Sequence, residues 1–338
     1  MKFFIYTTFI FLLISCDSSP KKGAYTKIVS EPKSELHQQA SSLFSSVNSL
    51  PNQELSAEKI ALGKKLYFDK RLSKNNSISC NSCHNLSTYG VDNLATSPGD
   101  TKEFGTRNSP SVIYAHLHTS QFWDGRAKDV EEQAGMPILN PVEHAIPDSL
   151  YLENKLAQVD DYVQSFAKVY PKEGLTYTNI TNAIGAFERQ MSPVSQFDLY
   201  LDGDEAALNT KQKKGLQAFI DNACIACHAG VPLGGKMMQK FGLFDDYWNY
   251  TKSETIDKGL AEVTGKKSHE YMFKVPSLRN ITKTSPYFHD GSVESLEESI
   301  KIMAKLQSNK DISDEDIEAI MAFFESLEAD LDDSMKTL

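Results

Sequence analysis

Two short runs of the sequence combine a pair of cysteines with a histidine at the same spacing. They are Cys80-Asn81-Ser82-Cys83-His84 and Cys224-Ile225-Ala226-Cys227-His228. Two thiols at this spacing can add to the two vinyl groups of one porphyrin, and the adjacent histidine then reaches the iron as an axial ligand. The two runs therefore predict two covalent c-type haems, one held by Cys80, Cys83 and His84 and the other by Cys224, Cys227 and His228.

Two other uses of paired cysteines stay open on spacing alone, namely a redox dithiol and half of a zinc site. The chain has five cysteines, and four of them belong to the two runs. None is left to complete a separate disulfide framework. The presence of two full copies of the motif favours covalent haem over both alternatives.

The fifth cysteine, Cys16, follows a short apolar run at the N-terminus. Lys2 precedes this run, and the residues that end it, Leu13-Ile14-Ser15-Cys16, resemble a bacterial lipoprotein cleavage box. The run is shorter than the roughly 20 residues that span a bilayer. Residues 1–15 are therefore predicted to be a lipoprotein signal peptide, and Cys16 to carry the lipid that tethers an exported, periplasmic protein to a membrane.

An uncleaved anchor, or a secretory peptide with an incidental cysteine, is the alternative to this lipoprotein signal, and either would also export the chain. Residues 16–45 are predicted to form a flexible tether, because their first part is rich in Ser, Lys and Pro and has little apolar pattern.

The overall composition is that of a globular protein, with 40% hydrophobic and 24% charged residues. A chain of 338 residues is long enough for two domains that each bury a core. The formal net charge of −10 argues against nucleic acid as a partner and favours a basic electron-donor protein.

The elements around the two motifs recur in the same order. A glycine-led apolar segment precedes each motif, at residues 63–68 and 215–219, and an alanine-led amphipathic segment follows, at residues 183–191 and 319–327. Each segment is predicted to be a helix. Between them, Phe122-Trp123-Asp124-Gly125 matches Phe288-His289-Asp290-Gly291.

This order predicts a mostly α fold with short or no strands, built as two tandem c-type cytochrome domains from an internal duplication. The N-terminal haem domain is predicted over residues 46–193 and the C-terminal one over residues 194–338. Their boundary is expected within residues 193–203, where Pro, Ser, Gly and Asp cluster.

Further motifs resemble those of the bacterial di-haem cytochrome c peroxidases. They are Gly90-Val91-Asp92, Arg107-Asn108-x-Pro110, Gln121-Phe122-Trp123-Asp124-Gly125-Arg126-Ala127, Pro276-Ser277-Leu278-Arg279-Asn280 and Pro286-Tyr287-Phe288-His289. The resemblance runs from about Glu54 to the C-terminus. It implies an enzyme that reduces hydrogen peroxide to water at the N-terminal haem. It also implies a small cytochrome c or copper protein that donates electrons at the C-terminal haem, and a homodimer.

The resemblance also implies roles for individual residues. Met303 matches the methionine that completes the coordination of the C-terminal haem iron, and such ligation raises the reduction potential. Glu143 matches a glutamate that moves a proton between the two peroxide oxygens, for which a desolvated carboxylate with a raised pKa is suited. Gln133 matches a second polar group that holds peroxide by a hydrogen bond.

Two more sites follow from the same resemblance. Trp123 matches a tryptophan placed between the two haems, where an aromatic ring would shorten electron transfer. Asn108 and the backbone carbonyls of Thr284 and Pro286 match the ligands of a calcium ion, and hard oxygen ligands suit that ion.

The chain departs from the family pattern at Asp100, where many members carry a histidine that caps the peroxidatic iron in the resting enzyme. An open or water-bound iron is the preferred interpretation, and a cap from His116, His118 or Met136 is the alternative. Two rival functions share the motifs. One is oxidation of a side chain in a partner protein, by relatives that have a tyrosine in place of the methionine, and the other is electron transfer alone.

Overall fold

The computed structural model describes Met1, residues 33–253 and residues 255–338. Apart from Met1, the predicted signal peptide over 1–15 lies outside the described residues, as do Cys16 and the first part of the predicted tether. Residues 33–338 form one compact unit. None of the helices in the described ranges is both long and apolar enough to cross a bilayer.

Helices dominate the regular structure, which confirms the predicted mostly α class. In the described ranges they are α1 (Glu35–Leu43), α2 (Ala57–Phe68), α3 (Cys80–Cys83), α4 (Val130–Leu139), α5 (Ser149–Ala157), α6 (Asp160–Val169), α7 (Tyr177–Glu188), α8 (Gln196–Leu201), α9 (Thr210–Asp221), α10 (Trp248–Thr251), α11 (Leu260–Thr264), α12 (Leu296–Ser308), α13 (Asp314–Glu325) and α14 (Asp333–Lys336). One antiparallel ribbon pairs β1 (Met238–Lys240) with β2 (Met272–Lys274).

Two helix pairs pack in the same way, α2 against α7 and α9 against α13. A Cβ atom added at Gly63 would lie 1.8 Å from the carbonyl oxygen of Ala183, and one added at Gly215 would lie 1.8 Å from that of Ala319. Only glycine, which has no Cβ, permits this approach of two backbones. The four helices predicted from apolar spacing are confirmed, and each pair flanks one C-x-x-C-H motif.

The two chain ends each cover the distant half of the protein. Phe44, just after α1, packs edge-on against Phe197 at a ring distance of 5.3 Å, in a cluster made mainly of residues 197–327. At the other end, Leu331 and Met335 pack into the cluster that contains Leu66 and Phe187. The first helix therefore completes the core of the C-terminal half, and the last residues complete that of the N-terminal half.

The helix α1 corrects the tether prediction, because it lies within residues 16–45. Its N-cap is Ser34, whose hydroxyl accepts a hydrogen bond from the backbone N–H of His37 at 3.2 Å. Leu36, Ala40 and Leu43 recur at helical spacing and pack into the C-terminal cluster. Polar residues separate these three apolar ones, so the composition of the segment does not indicate a helix.

The segment 193–203, within which the domain boundary is expected, contains the helix α8. Ser195 caps it, and the Asp198 carboxylate forms two hydrogen bonds of 2.8 Å with the Arg279 guanidinium, with both side chains fully buried. A buried ion pair is stable only when its geometry and hydrogen bonding are complete, as they are here. The segment is therefore a packed element, and the division of domains at 193/194 stays a prediction.

Candidate haem centres and peroxide site

A cavity of about 500 Å³ contains the second C-x-x-C-H motif. Helix α9 leads into a tight 3-10 turn at Cys224–Ala226, and this turn places Cys224, Cys227 and His228 along the cavity wall. The remaining lining is mainly apolar and includes Phe219, Phe324 and Leu296. A planar apolar cofactor with two points of thioether attachment fits these residues.

The imidazole of His228 is oriented for binding iron. It is only 8% exposed, and its Nδ1 atom lies 3.1 Å from the carbonyl oxygen of Leu233. Burial lowers the pKa of His228 to about 4, so the ring is neutral at neutral pH. A neutral histidine whose Nδ1–H is held by a carbonyl presents Nε2 as a ligand, which is the usual arrangement at metal centres.

Met303 lines the same cavity from helix α12. Its side chain packs against a cluster that contains Phe241 and Ile302, so the thioether is held in place by apolar contacts. Among the predicted residues of the C-terminal haem, the structure thus brings Cys224, Cys227, His228 and Met303 to one cavity.

The first motif forms the short helix α3, followed by His84. The hydroxyl of Tyr67 donates a hydrogen bond of 2.6 Å to the His84 carbonyl, which ties the motif to helix α2. Burial lowers the pKa of His84, and its Nδ1 atom is buried with no hydrogen-bond partner in the described part of the chain. Burial also raises the pKa of Cys83 to about 11. The residues suit an attached haem as they do in the second motif.

A zinc site is the poorer fit for either motif. In the ranges that the structure describes, no three side chains of His, Cys, Asp or Glu converge in a way that would hold a metal ion. Structural zinc takes four such ligands in tetrahedral geometry.

Glu143 is joined to the loop before the N-terminal motif through Asp100, whose N–H donates to the Glu143 carbonyl at 2.7 Å and whose carboxylate accepts from the Ser77 hydroxyl at 2.6 Å. Burial raises the pKa of Glu143 itself, while the positive charge of Arg126 and a hydrogen bond from Asn140 act in the opposite direction. The Asn140 amide donates to Oε1 at 2.7 Å. The Glu143 carboxyl therefore has one oxygen engaged, and among the residues that the structure describes its Oε2 atom has no hydrogen-bond partner, which leaves it available for proton exchange.

Gln133 lies on α4, the helix that leads into the loop of Glu143. His144, next to Glu143 in sequence, is buried, and its Nδ1 atom lies 3.0 Å from the carbonyl oxygen of Leu72. Burial lowers its pKa to about 4, so His144 keeps a single ring proton, which this carbonyl accepts. It therefore fixes the loop instead of supplying protons to Glu143.

Asp100 is a structural carboxylate in this fold. It is 4% exposed and accepts hydrogen bonds from the backbone N–H of Asn75 at 2.9 Å and from the Ser77 hydroxyl at 2.6 Å. Its own N–H donates to the Glu143 carbonyl at 2.7 Å. Burial alone would raise the pKa of Asp100, but these hydrogen bonds outweigh it and lower the pKa. The residue therefore joins the loop before Cys80 to the loop of Glu143.

The other three residues considered as iron caps have partners of their own. The Nε2 atom of His116 lies 3.2 Å from the Ser192 hydroxyl, and the Nδ1 atom of His118 lies 3.3 Å from Nζ of Lys274. His118 lines the cavity of the second motif, and Met136 lines a groove between α4 and α7. The structure thus gives each of them a local contact.

Trp123 lies where the two halves meet. Its indole N–H donates to the Asn108 carbonyl at 2.9 Å, and its ring lies edge-on to His289 at 6.5 Å. Asn108, Thr284 and Pro286 line the same large cavity as Trp123. The Asn108 side-chain N–H donates to the carbonyl of Leu94 at 2.9 Å, and its Oδ1 atom accepts no hydrogen bond from the described part of the chain.

Three residues near these sites escaped the sequence analysis. Asn140 orients Glu143, Arg126 adds positive charge near it, and Lys274 lies buried in the cavity of the second motif. The Asn140-Pro141-Val142-Glu143 run carried a local signal, because an Asn three residues before Glu can bond to it across a turn. No local pattern marks the other two.

Comparison with known proteins agrees with this arrangement. Residues 57–206 match the family described as di-haem cytochrome c peroxidase. The chain is 45% identical over 300 residues to the cytochrome c551 peroxidase of Pseudomonas aeruginosa, covering 86% of each chain. It is 41% identical over 278 residues to that of Nitrosomonas europaea, covering 82% of each.

A crystal structure of a MauG-like protein associated with microbial copper homeostasis is similar with a TM-score of 0.72 and 28% identity, and the match covers 85% of this chain and 93% of that one. The motifs, the arrangement of the helices and the relatives lead to one conclusion: the chain belongs to the di-haem cytochrome c peroxidase family, a family of enzymes.

Proposed function

We propose that the protein reduces hydrogen peroxide to water, with electrons that a small cytochrome c or a copper protein delivers to the C-terminal haem and that pass to the N-terminal haem. The observation that carries this proposal is the Glu143 carboxyl, which is joined through Asp100 to the loop before the N-terminal motif, has a raised pKa and forms no hydrogen bond through Oε2 within the described ranges. The names of the relatives at 41% and 45% identity support it.

The N-terminal haem, when bound, supplies the redox chemistry that cleaves the O–O bond. Glu143 takes a proton from the oxygen that stays near the iron and gives it to the oxygen that leaves as water, because a carboxyl of raised pKa both accepts and donates near neutral pH. Asn140 holds the carboxyl in position through Oε1. Gln133 is proposed to orient peroxide by hydrogen bonding.

The C-terminal haem is proposed to be the site where electrons enter. Ligation of its iron by His228 and Met303 would give this haem a high reduction potential. Two observations support this ligation. The ring of His228 is neutral and its Nδ1 atom is held by a carbonyl, and Met303 lines the same cavity as His228. Trp123, which lies at the meeting of the two halves, is the proposed aromatic link between the haems.

Several finer features belong to the same proposal. The Gly63–Ala183 and Gly215–Ala319 contacts support an origin by internal duplication. The Oδ1 atom of Asn108, which accepts no hydrogen bond from the described residues, supports a calcium ion shared with the carbonyls of Thr284 and Pro286.

The remaining features of the proposal rest on sequence. Export to the periplasmic side and lipid anchoring through Cys16 rest on the N-terminal sequence, and a homodimer rests on the family resemblance.

The decisive experiment is steady-state consumption of hydrogen peroxide by purified two-haem protein, with a reduced small cytochrome c as donor. Rapid donor oxidation that depends on peroxide, with two donor molecules oxidised per peroxide, is the expected result. A protein that exchanges electrons with the donor but ignores peroxide is an electron carrier, and one that uses peroxide only with a protein substrate is a side-chain oxidase. Either of these results would overturn the proposal.

A further inference from the structure

Lys274 is a buried lysine that has no acidic partner. It ends strand β2 and is 6% exposed. Among the residues that the structure describes, its ammonium forms no salt bridge, and its Nζ atom has one hydrogen-bond partner, Nδ1 of His118 at 3.3 Å. Burying a charge that has no counter-charge is strongly unfavourable in free energy.

The one carboxylate whose charge acts on Lys274, among the described residues, is Asp124, and two arginines already pair with it. Asp124 forms ion pairs with Arg107 and, at 2.8 Å, with Arg126. Burial lowers the pKa of Lys274 to about 7, which reflects the cost of its charge in the absence of a close anion. The site therefore has positive potential that the described side chains leave unbalanced.

Lys274 and His118 lie at the proposed haem cavity of the C-terminal half. Lys274 and His118 both line the cavity that holds His228 and Met303. The Nε2 atom of His118 is buried without a hydrogen-bond partner in the described ranges, so its N–H is available to an acceptor. The backbone N–H of Lys274 donates to the Trp123 carbonyl at 2.7 Å, which fixes the lysine beside the proposed electron path.

A haem carries two propionate carboxylates, which are the anionic side groups of its porphyrin ring and strong hydrogen-bond acceptors. Lys274 supplies a cation, and His118, whose Nδ1 accepts from that ammonium, supplies a second N–H through Nε2. We propose that Lys274 and His118 together bind one propionate of the C-terminal haem. This inference rests on the proposed function only in assigning a haem to that cavity.

A positive charge beside a haem stabilises the reduced iron, which carries one positive charge less than the oxidised iron. Bound to a propionate, Lys274 therefore raises the reduction potential of the C-terminal haem together with Met303. The lysine also stays charged, because the carboxylate offsets the burial that otherwise favours its neutral form. The pair thus tunes electron uptake without ligating the iron.

The test compares Lys274→Met with Lys236→Met in the two-haem protein. Lys236 is the control, because it is an exposed lysine just before β1, the strand that pairs with β2, and its Nζ donates to the Leu117 carbonyl at 2.6 Å. Spectroelectrochemistry gives the potential of each haem, and resonance Raman spectroscopy reports the propionate bending vibration. Neither measurement needs peroxide or a donor, so a failure here is separate from a failure of the proposed peroxidase activity.

Lys274→Met is expected to lower the potential of the C-terminal haem and to shift its propionate vibration, while Lys236→Met leaves both near their wild-type values. Lys274→Gln removes only the charge, and it decides the matter if Lys274→Met does not retain haem. An unchanged potential in Lys274→Gln, or an equal fall in Lys236→Met, would overturn the proposal.

Discussion

The side-chain amide of Asn140 donates a 2.7 Å hydrogen bond to Oε1 of Glu143. This bond favours the ionised carboxylate, while burial favours the neutral acid, and burial dominates. Burial therefore sets the direction of the pKa shift of Glu143, and Asn140, three residues away, positions the carboxyl and limits the shift.

Asn140→Ala should move the acidic limb of the pH profile of kcat/KM to higher pH. Turnover requires ionised Glu143 and falls as the pH drops through the pKa of that carboxyl, so removing a hydrogen bond that lowers the pKa raises the pH at which activity is lost. The measurement is kcat/KM for peroxide across pH. A profile that keeps its midpoint would show that Asn140 does not act on Glu143.

Glu143→Gln should lower kcat roughly 10²- to 10⁴-fold, because it removes proton transfer while keeping the shape of the side chain. Both haem spectra should stay as in the wild type. Glu132→Gln is the control, since Glu132 is an exposed residue of the first turn of α4. Near-normal turnover in Glu143→Gln would assign the acid–base role to another group.

The oxidised enzyme should show one high-spin and one low-spin haem by electron paramagnetic resonance, and it should react with peroxide without prior reduction. Asp100 is bound to Asn75 and Ser77, and His116 lies against Ser192, so neither is free to cap the iron. His116→Gln and Met136→Leu should leave the high-spin signal in place. Two low-spin signals with a strict need for pre-reduction would contradict this prediction.

Asp100→Asn should lower the free energy of unfolding by about 1–3 kcal/mol at neutral pH, because an amide cannot accept the bonds from both Asn75 and Ser77. The pKa of Asp100 is lowered in the folded protein, so its contribution is present above the unfolded pKa of about 3.9 and is lost as the pH falls through the folded value. Denaturant titrations should show the wild type and the variant converging in acid. A constant difference would remove Asp100 as the cause.

Met303→His should lower the reduction potential of the C-terminal haem and slow electron uptake from a reduced cytochrome c, because an imidazole stabilises the oxidised iron more than a thioether does. Met237→Leu, an exposed methionine, is the control. Equal potentials in Met303→His and the wild type would exclude Met303 as the ligand.

Local patterns in the sequence predicted the helices that flank the two C-x-x-C-H motifs well, because packing fixes apolar periodicity. Gly63 and Gly215 belong to such patterns. Composition failed at α1, where Leu36 and Ala40 are separated by polar residues. Composition also did not indicate the helix α8, which Ser195 caps.

Contacts between segments that are distant in the chain could not be predicted from the sequence. The approach of His118 to Lys274 joins residues 156 positions apart. The hydrogen bonds that Asp100 accepts from Asn75 and Ser77 likewise depend on how two loops fold together. Such contacts decide whether a polar residue serves chemistry or structure, and only the folded chain shows them.

Each chain end packs into the core of the other half, so the order of synthesis decides when each core can be completed. When the first haem motif leaves the ribosome, Leu331 and Met335, which close the core around it, have not yet been made. The helix α1 is made first but finds its partners Phe197 and Tyr200 only much later. The core of the N-terminal half therefore stays incomplete until the last residues of the chain arrive.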